Sequence, residues 1–372
     1  ASYPKLLLNL SLPAVVIMLV MVVYNMADTF FIGQTGDPSK IAAISLCAPV
    51  FSILSGLGTL LGSGGCTAIS LALGKKDTHS VKRYSAFCCY GALALGMAFL
   101  VIVNLFLPAI SRLLGADGET GADTLLYLRI IALGAPFIMF NNVFANVIRA
   151  DGAAKESMIA NCAGTFSNIA LDALFILGFS WDVAGAALAT VAGNCVSCAY
   201  LLYYVTRKQP LLSLSPRQLS PDVQVAGTVL SLGLPMACST LLMSLSHIIA
   251  NRMVIGYGSV ALAAQGISGK IGMVVTMLAM GICMGLQPAI SYNYSAGNLQ
   301  RMRHIIRSTA LFTFCLGSTI TLLCYLGRNG ILSAFIDNAE VIAYGQVFVF
   351  ASIITGPFYG LYQLCQTFLQ ST

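Results

Sequence analysis

Polar and apolar residues are segregated along this chain into long blocks. Ten mostly apolar stretches run near positions 9–33, 41–73, 84–112, 124–149, 157–180, 183–206, 224–256, 260–294, 303–327 and 341–370, separated by short polar segments. Each is at least as long as the roughly 20 residues a helix needs to cross the hydrocarbon core of a bilayer. None carries the alternation over about ten residues that marks a membrane β-strand. The pattern predicts an all-α integral membrane protein with ten spanning helices, several long enough to tilt or project beyond the bilayer. The segment from Arg207 to Asp222 holds Pro210, Pro216, Pro221 and several serines, and reads as a linker.

The blocks repeat. Leu10-Ser11-Leu12-Pro13 returns as Leu232-Gly233-Leu234-Pro235, and Ile32-Gly33 as Ile255-Gly256. Ala68-Ile69-Ser70 returns as Ala289-Ile290-Ser291, and Ala135-Pro136-Phe137 as Gly356-Pro357-Phe358. Six spans separate equivalent points, and an even number restores the orientation. The halves are therefore expected to be parallel repeats about an axis along the membrane normal. This divides the chain into an N-terminal lobe at 1–206 (spans one to six), a cytoplasmic linker at 207–222 and a C-terminal lobe at 223–372 (spans seven to ten). In this register Thr372 matches position 151. The expected whole is two parallel six-helix lobes, twelve helices in all, with the second lobe truncated here to four.

Composition agrees with the pattern. The chain is 58% hydrophobic and 9% charged, with a mean hydropathy of +0.85, whereas a soluble domain is about a quarter charged. The net charge of +6 is no sign of nucleic-acid binding, because the basic residues fall in short loops. Lys5, Lys75, Lys76, Lys82, Arg83, Arg149, Lys155, Arg207, Lys208, Arg217, Arg301, Arg303 and Arg307 share one side, and Lys40, Arg112 and Arg328 take the other. The bias of Lys and Arg toward the cytoplasm then puts the N-terminus and the even-numbered loops inside. Most of the twelve cysteines sit in apolar runs, among them Cys47, Cys66, Cys88, Cys89, Cys238 and Cys283, where they read as small packing residues. Cys195 and Cys198 have the spacing of a redox or metal motif, but no acidic residue or histidine stands near them in their span.

Of thirteen acidic residues only Asp28 and Asp172 lie inside long apolar stretches. A carboxylate there costs a few kcal/mol and marks an ion or substrate pathway by default. Asn25 precedes Asp28 by three residues and Asn168 precedes Asp172 by four, so each pair shares a helix face. Thr190 lies in the following span. If spans one, five and six meet, these residues form an oxygen-rich pocket. Two close carboxylates do not titrate independently, so one can hold a proton. The same oxygens suit a hard cation such as Na⁺ at Asp28, Asn168, Asp172 and Thr190. The plainer alternative is that each Asp is locked in helix-to-helix hydrogen bonds. The second half has Ala250 or Asn251 where the first has Asp28.

Further candidates are weaker. Met273, Met277, Met280 and Met284 form one stripe on span eight, suited to a cavity of adaptable shape or to ordinary packing. Pro136 and Pro357 sit in equivalent spans, as bending points or as merely tolerated kinks. His247 reads as a packing residue or a proton carrier. Arg129, Arg252 and Lys270 reach toward an interface; facing a cavity, they would favour an anionic substrate.

Together these residues resemble the multidrug and toxic compound extrusion family, in its bacterial multidrug-efflux branch. The resemblance rests on Tyr24-Asn25-Met26-Ala27-Asp28-Thr29-Phe30-Phe31-Ile32-Gly33, on Asn168 with Asp172, on Gly185-Ala186-Ala187-Leu188-Ala189-Thr190 and on Gln287-Pro288. It implies twelve helices around a V-shaped cavity, with Gln287 joining the methionines as cavity candidates. It also implies a cofactor-free, monomeric antiporter in a bacterial plasma membrane. H⁺ or Na⁺ would enter while an amphiphilic, mostly cationic drug leaves, the ion being carried by Asp28, Asn168, Asp172 and Thr190. The alternative within the same fold type is a flippase for a lipid-linked or polysaccharide precursor. A lipid-modifying enzyme is disfavoured, because the sequence has neither a paired-Asp motif nor HExxH.

Overall fold

The computed structural model describes residues 11–24, 31, 38–116, 119–208, 211–218, 223–255, 259–335 and 339–371, and every regular element among them is helical. A short apolar helix α1 (Ser11–Tyr24) comes first. It is followed by α2 (Pro38–Gly74), α3 (Thr78–Leu105), α4 (Leu107–Leu113), α5 (Glu119–Ala150) and α6 (Ala154–Asp172). A π-helix at Ala173–Gly178 leads to α7 (Asp182–Lys208), and a 3₁₀ turn at Pro216–Gln218 to α8 (Val223–Ile255). The remaining helices are α9 (Ser259–Ser295), α10 (Leu299–Phe335), α11 (Ala339–Ile353) and α12 (Gly356–Ser371). Among the described residues nine stretches are long and apolar enough to cross a membrane, with α1 as a shorter tenth.

Among the described residues two of the apolar blocks are interrupted, each near a proline. The third breaks at Phe106, after which Pro108 occupies the first turn of α4; proline is suited to that position because its missing N–H would have no partner there anyway. The tenth breaks at Ile354-Thr355, ahead of Pro357. In an unbroken helix the Ile353 carbonyl would accept from the amide of residue 357, and proline has none. The Thr321 hydroxyl of α10 donates to that carbonyl at 2.9 Å instead. Pro136, by contrast, lies within a continuous α5.

The chain divides into two compact units, one of Val23–Leu241 and one of Ala1–Val22 with Leu242–Thr372. In the first, α5 is the central helix, packed by α2, α3 and α7, with α6 lying on α7. Leu128, Met139, Phe144 and Ile148 of α5 are fully buried, and Val229 of α8 belongs to the same core. In the second unit α9 is central, packed by α10, α11 and α12. Its Ile282, Cys283, Leu286 and Ile290 form a core that Val15 of α1 joins, and the Ser11 hydroxyl donates to the Ile282 carbonyl at 3.5 Å.

One close contact recurs 221 positions apart. A Cβ on Gly96 would lie 2.5 Å from the Cα of Pro136, and one on Gly317 would lie 3.0 Å from the Cα of Pro357. Only glycine lets the backbones of α3 and α5, or of α10 and α12, approach so closely, as small residues do at helix contacts in membranes.

Candidate ion site

The site grows from the α6–α7 hairpin. A Cβ on Gly193 would lie 2.6 Å from the Gly164 carbonyl oxygen and 2.8 Å from the Cβ of Asn168. The absence of a side chain there brings α7 onto α6 at the level of Asn168. One turn away the Ser197 hydroxyl donates to the Ala160 carbonyl at 2.8 Å, and farther along the Tyr200 hydroxyl donates to the Glu156 carboxylate. Small residues and interhelical hydrogen bonds do the joining, since apolar area gains little against lipid.

Asn168 is 3% exposed, and among the described residues neither its carbonyl oxygen nor its amide nitrogen has a hydrogen-bond partner. Leaving such a group dry and unsatisfied costs about 1–3 kcal/mol, so the arrangement calls for a ligand. Asp172, one turn on, is completely buried. It is the last α-helical residue before the π-helix. The wider turn that starts there occurs in other proteins mainly as a single-turn bulge, often at functional positions.

Thr190 lies on α7 one turn before Gly193, the residue that meets Asn168. It is 5% exposed, and its Oγ1 lies 3.4 Å from the Tyr24 hydroxyl at the end of α1. Its backbone carbonyl accepts from Asn194 Nδ2 at 2.8 Å, and Asn194 Oδ1 accepts from Asn141 Nδ2 of α5 at 2.9 Å. Asn141 Oδ1 is itself buried without a partner among the described residues. A polar line thus leads from Tyr24 through Thr190 and Asn194 to Asn141. Sequence reasoning did not single out Asn141 or Asn194, and quoted Tyr24 only within a longer motif. The available signal was the presence of uncharged amides inside apolar blocks, which is weaker than that of a carboxylate.

Asn25 and Asp28 lie outside the described residues, as do the side chains of His247, Arg252 and Lys270. Asn168, Asp172 and Thr190 are buried on the facing helices α6 and α7. Met273, Met277, Met280 and Met284 are half-buried on α9, beside its fully buried face, and Gln287 is buried. Arg129 is exposed on α5. Every cysteine is free. Cys198 donates through its thiol to the Phe137 carbonyl at 3.2 Å. No cluster of three or more His, Cys, Asp or Glu residues capable of holding a metal occurs among the described residues. The chemistry available is that of carboxylate, amide and hydroxyl oxygens in a dry setting, suited to a proton or a hard monovalent cation.

Comparison with known proteins agrees with this architecture. The MatE family model matches residues 13–174 and 235–372. The chain is 32% identical over 342 residues to the multidrug export protein MepA of Staphylococcus saprophyticus, covering 92% of this chain and 76% of that protein. It is 34% identical over 323 residues to the multidrug export protein MepA of Staphylococcus aureus, covering 86% and 71%. A crystal structure of a MATE protein in complex with MaL6 superposes with a TM-score of 0.89 at 23% identity, over 99% of this chain and 86% of that one.

Proposed function

The chain belongs to the MatE family of transporters, the multidrug and toxic compound extrusion proteins, and on that premise we propose that it is a secondary active antiporter. It exports amphiphilic, mostly cationic compounds in exchange for H⁺ or Na⁺ by alternating access, and it needs no cofactor. The names of the staphylococcal relatives, multidrug export proteins, support export of several small molecules. It works as a monomer in a bacterial cytoplasmic membrane, with its N-terminus in the cytoplasm.

The observation that carries the ion-coupling reading is Asp172. This carboxyl-bearing side chain is fully buried at the junction of α6 with its π-helix, one turn from Asn168, and α7, which carries the buried Thr190, packs on α6. Asp28 and Asn25 are proposed to complete the set. A proton or Na⁺ taken up here drives transport only through its different affinity for the two conformations of the protein. Its oxygen ligands are repositioned when α6 and α7 change their packing, and that change is coupled to release of the exported compound. The methionine stripe and Gln287 on α9 are proposed contacts for that compound, since thioethers adapt to many shapes.

The test is efflux of a fluorescent lipophilic cation from proteoliposomes under imposed pH and Na⁺ gradients, with Asp172→Asn alongside. Gradient-driven efflux that the variant loses is the expected result, and the effective gradient names the ion. Efflux and ion dependence unchanged in Asp172→Asn would overturn the reading. A folded protein silent under both gradients would direct attention to a lipid-linked precursor as cargo.

A further inference from the structure

Between the ion site and the α6–α7 turn lie an apolar cluster and an ion pair that the antiport reading does not use. About one turn past Asp172 comes Ile176 of the π-helix, and one turn before Thr190 comes Ala186 of α7. Ile176 is 4% and Ala186 1% exposed; they form an apolar cluster, against which Phe31 and, from α2, Ile44 pack. One turn farther out, Lys40 of α2 places its Nζ 2.6 Å from Asp182 Oδ2, at the first residue of α7. It is the one ion pair among the described residues, and its side chains are 23% and 34% exposed. Exposure thus falls from the ion pair through the apolar layer to the buried Asp172.

The turn that carries Asp182 is shaped for this contact. Ser180 and Asp182 both have left-handed backbones, φ +56° and +45°, a conformation that side chains rarely adopt without a reason. Trp181 N donates to the Phe175 carbonyl at 2.9 Å, and the Phe175 and Trp181 rings stack at 5.3 Å. The π-helix, the turn and the start of α7 are therefore one folded cap, and Lys40 ties α2 to its edge.

We propose that Lys40 and Asp182 form a latch that closes the coupling ion's route to Asp172 at the end of the hairpin remote from the basic loops, with Phe31, Ile44, Ile176 and Ala186 as the apolar plug beneath it. The inference rests on the ion-site reading above. With the latch closed, an ion reaching Asp172 from that end must cross a dry apolar layer. With it open, α2 and the cap separate and water enters. Lys40 and Asp182 act as positioning residues that set how often the route opens; they do not hold the ion at its site.

The experiment measures ion entry into liposomes containing the full chain, without drug, for the parent, Lys40→Gln, Asp182→Asn and the double variant. Asparagine tolerates positive φ, so Asp182→Asn removes the charge and keeps the turn. Each single variant is expected to raise drug-independent ion entry about fivefold, as loss of a half-exposed ion pair implies. The double variant is expected to do no more than either single, because paired residues are not additive. Adding Asp172→Asn is expected to abolish the leak. Ion entry unchanged in both singles, or two effects that add in full, would overturn the latch and leave the ion site standing if Asp172→Asn still stops transport. A leak that persists with Asp172→Asn would instead show that the route bypasses Asp172 and overturn the latch, while the ion-site reading stands or falls on whether Asp172→Asn alone still supports gradient-driven efflux.

Discussion

The functional chemistry depends on what a single residue costs when water is absent. An asparagine in water is unremarkable in energy; Asn168, buried with both polar atoms unpartnered among the described residues, carries a cost there that close packing of α7 on α6 maintains. Gly193 is the neighbour that permits this packing. Gly193→Ala puts a methyl group 2.6 Å from the Gly164 carbonyl and 2.8 Å from Asn168 Cβ, so α6 and α7 must part. Overpacking of this kind costs about 1–3 kcal/mol. The variant is expected to melt at lower temperature in detergent and to require a higher ion concentration for half-maximal transport, and an ion dependence equal to the parent's would show that the close approach does not set the site. Residues of this sort differ in how legible they are. Asp172 stands out in the sequence because carboxylates are scarce in apolar blocks. Asn141 and Asn194 do not, because an amide is tolerated in a helix interface and its importance appears only once Thr190 is found between them and Tyr24.

At the scale of the element, equivalent prolines have different outcomes. Pro136 and Pro357 occupy matching places in the repeat, and each meets a glycine of a neighbouring helix, Gly96 or Gly317. Yet α5 runs through its proline while α11 stops before the other. Thr321 marks the difference, because its hydroxyl satisfies the Ile353 carbonyl that Pro357 leaves without a donor; the residue matching Thr321 in the first half is Leu100, which has no donor to offer. The sequence shows both prolines and cannot tell them apart, since the deciding group lies on another helix 32 residues away. Thr321→Val keeps the shape and removes the donor. It is expected to cost about 1 kcal/mol, the usual size of an interhelical hydrogen bond in a membrane, measured as a lower unfolding midpoint. A variant as stable as the parent would mean that the break is set by Pro357 alone. The π-helix after Asp172 was illegible for a similar reason: residues 173–178 read as ordinary apolar span, and what accompanies the wider winding is a close approach from another helix, a Cβ on Gly185 of α7 lying 3.0 Å from Phe175 Cβ.

For the whole molecule, the apolar blocks specify how many helices there are and roughly where, because a span must satisfy its own backbone and be as long as the bilayer is thick. They do not specify which helices pack together, because lipid and protein interior are equally apolar and both faces of a span look alike. The compact units accordingly divide within α1 and α8, at Val22–Val23 and Leu241–Leu242, whereas a reading of linkers points to residues 207–222. Charge is the feature that survives to this scale, since Lys and Arg resist translocation. Leu113 on α4 is 87% exposed and Asn298, between α9 and α10, is exposed as well. The first lies next to Arg112 on the sparsely charged side and the second next to Arg301 and Arg303 on the basic side. In a cysteine-free background, Leu113→Cys is expected to react with an impermeant maleimide in intact cells, and Asn298→Cys only after permeabilisation. The reverse pattern would invert the protein in the membrane. It would also turn Lys40 and Asp182 toward the cytoplasm, so the same labelling decides whether their latch meets the ion as it enters or as it leaves.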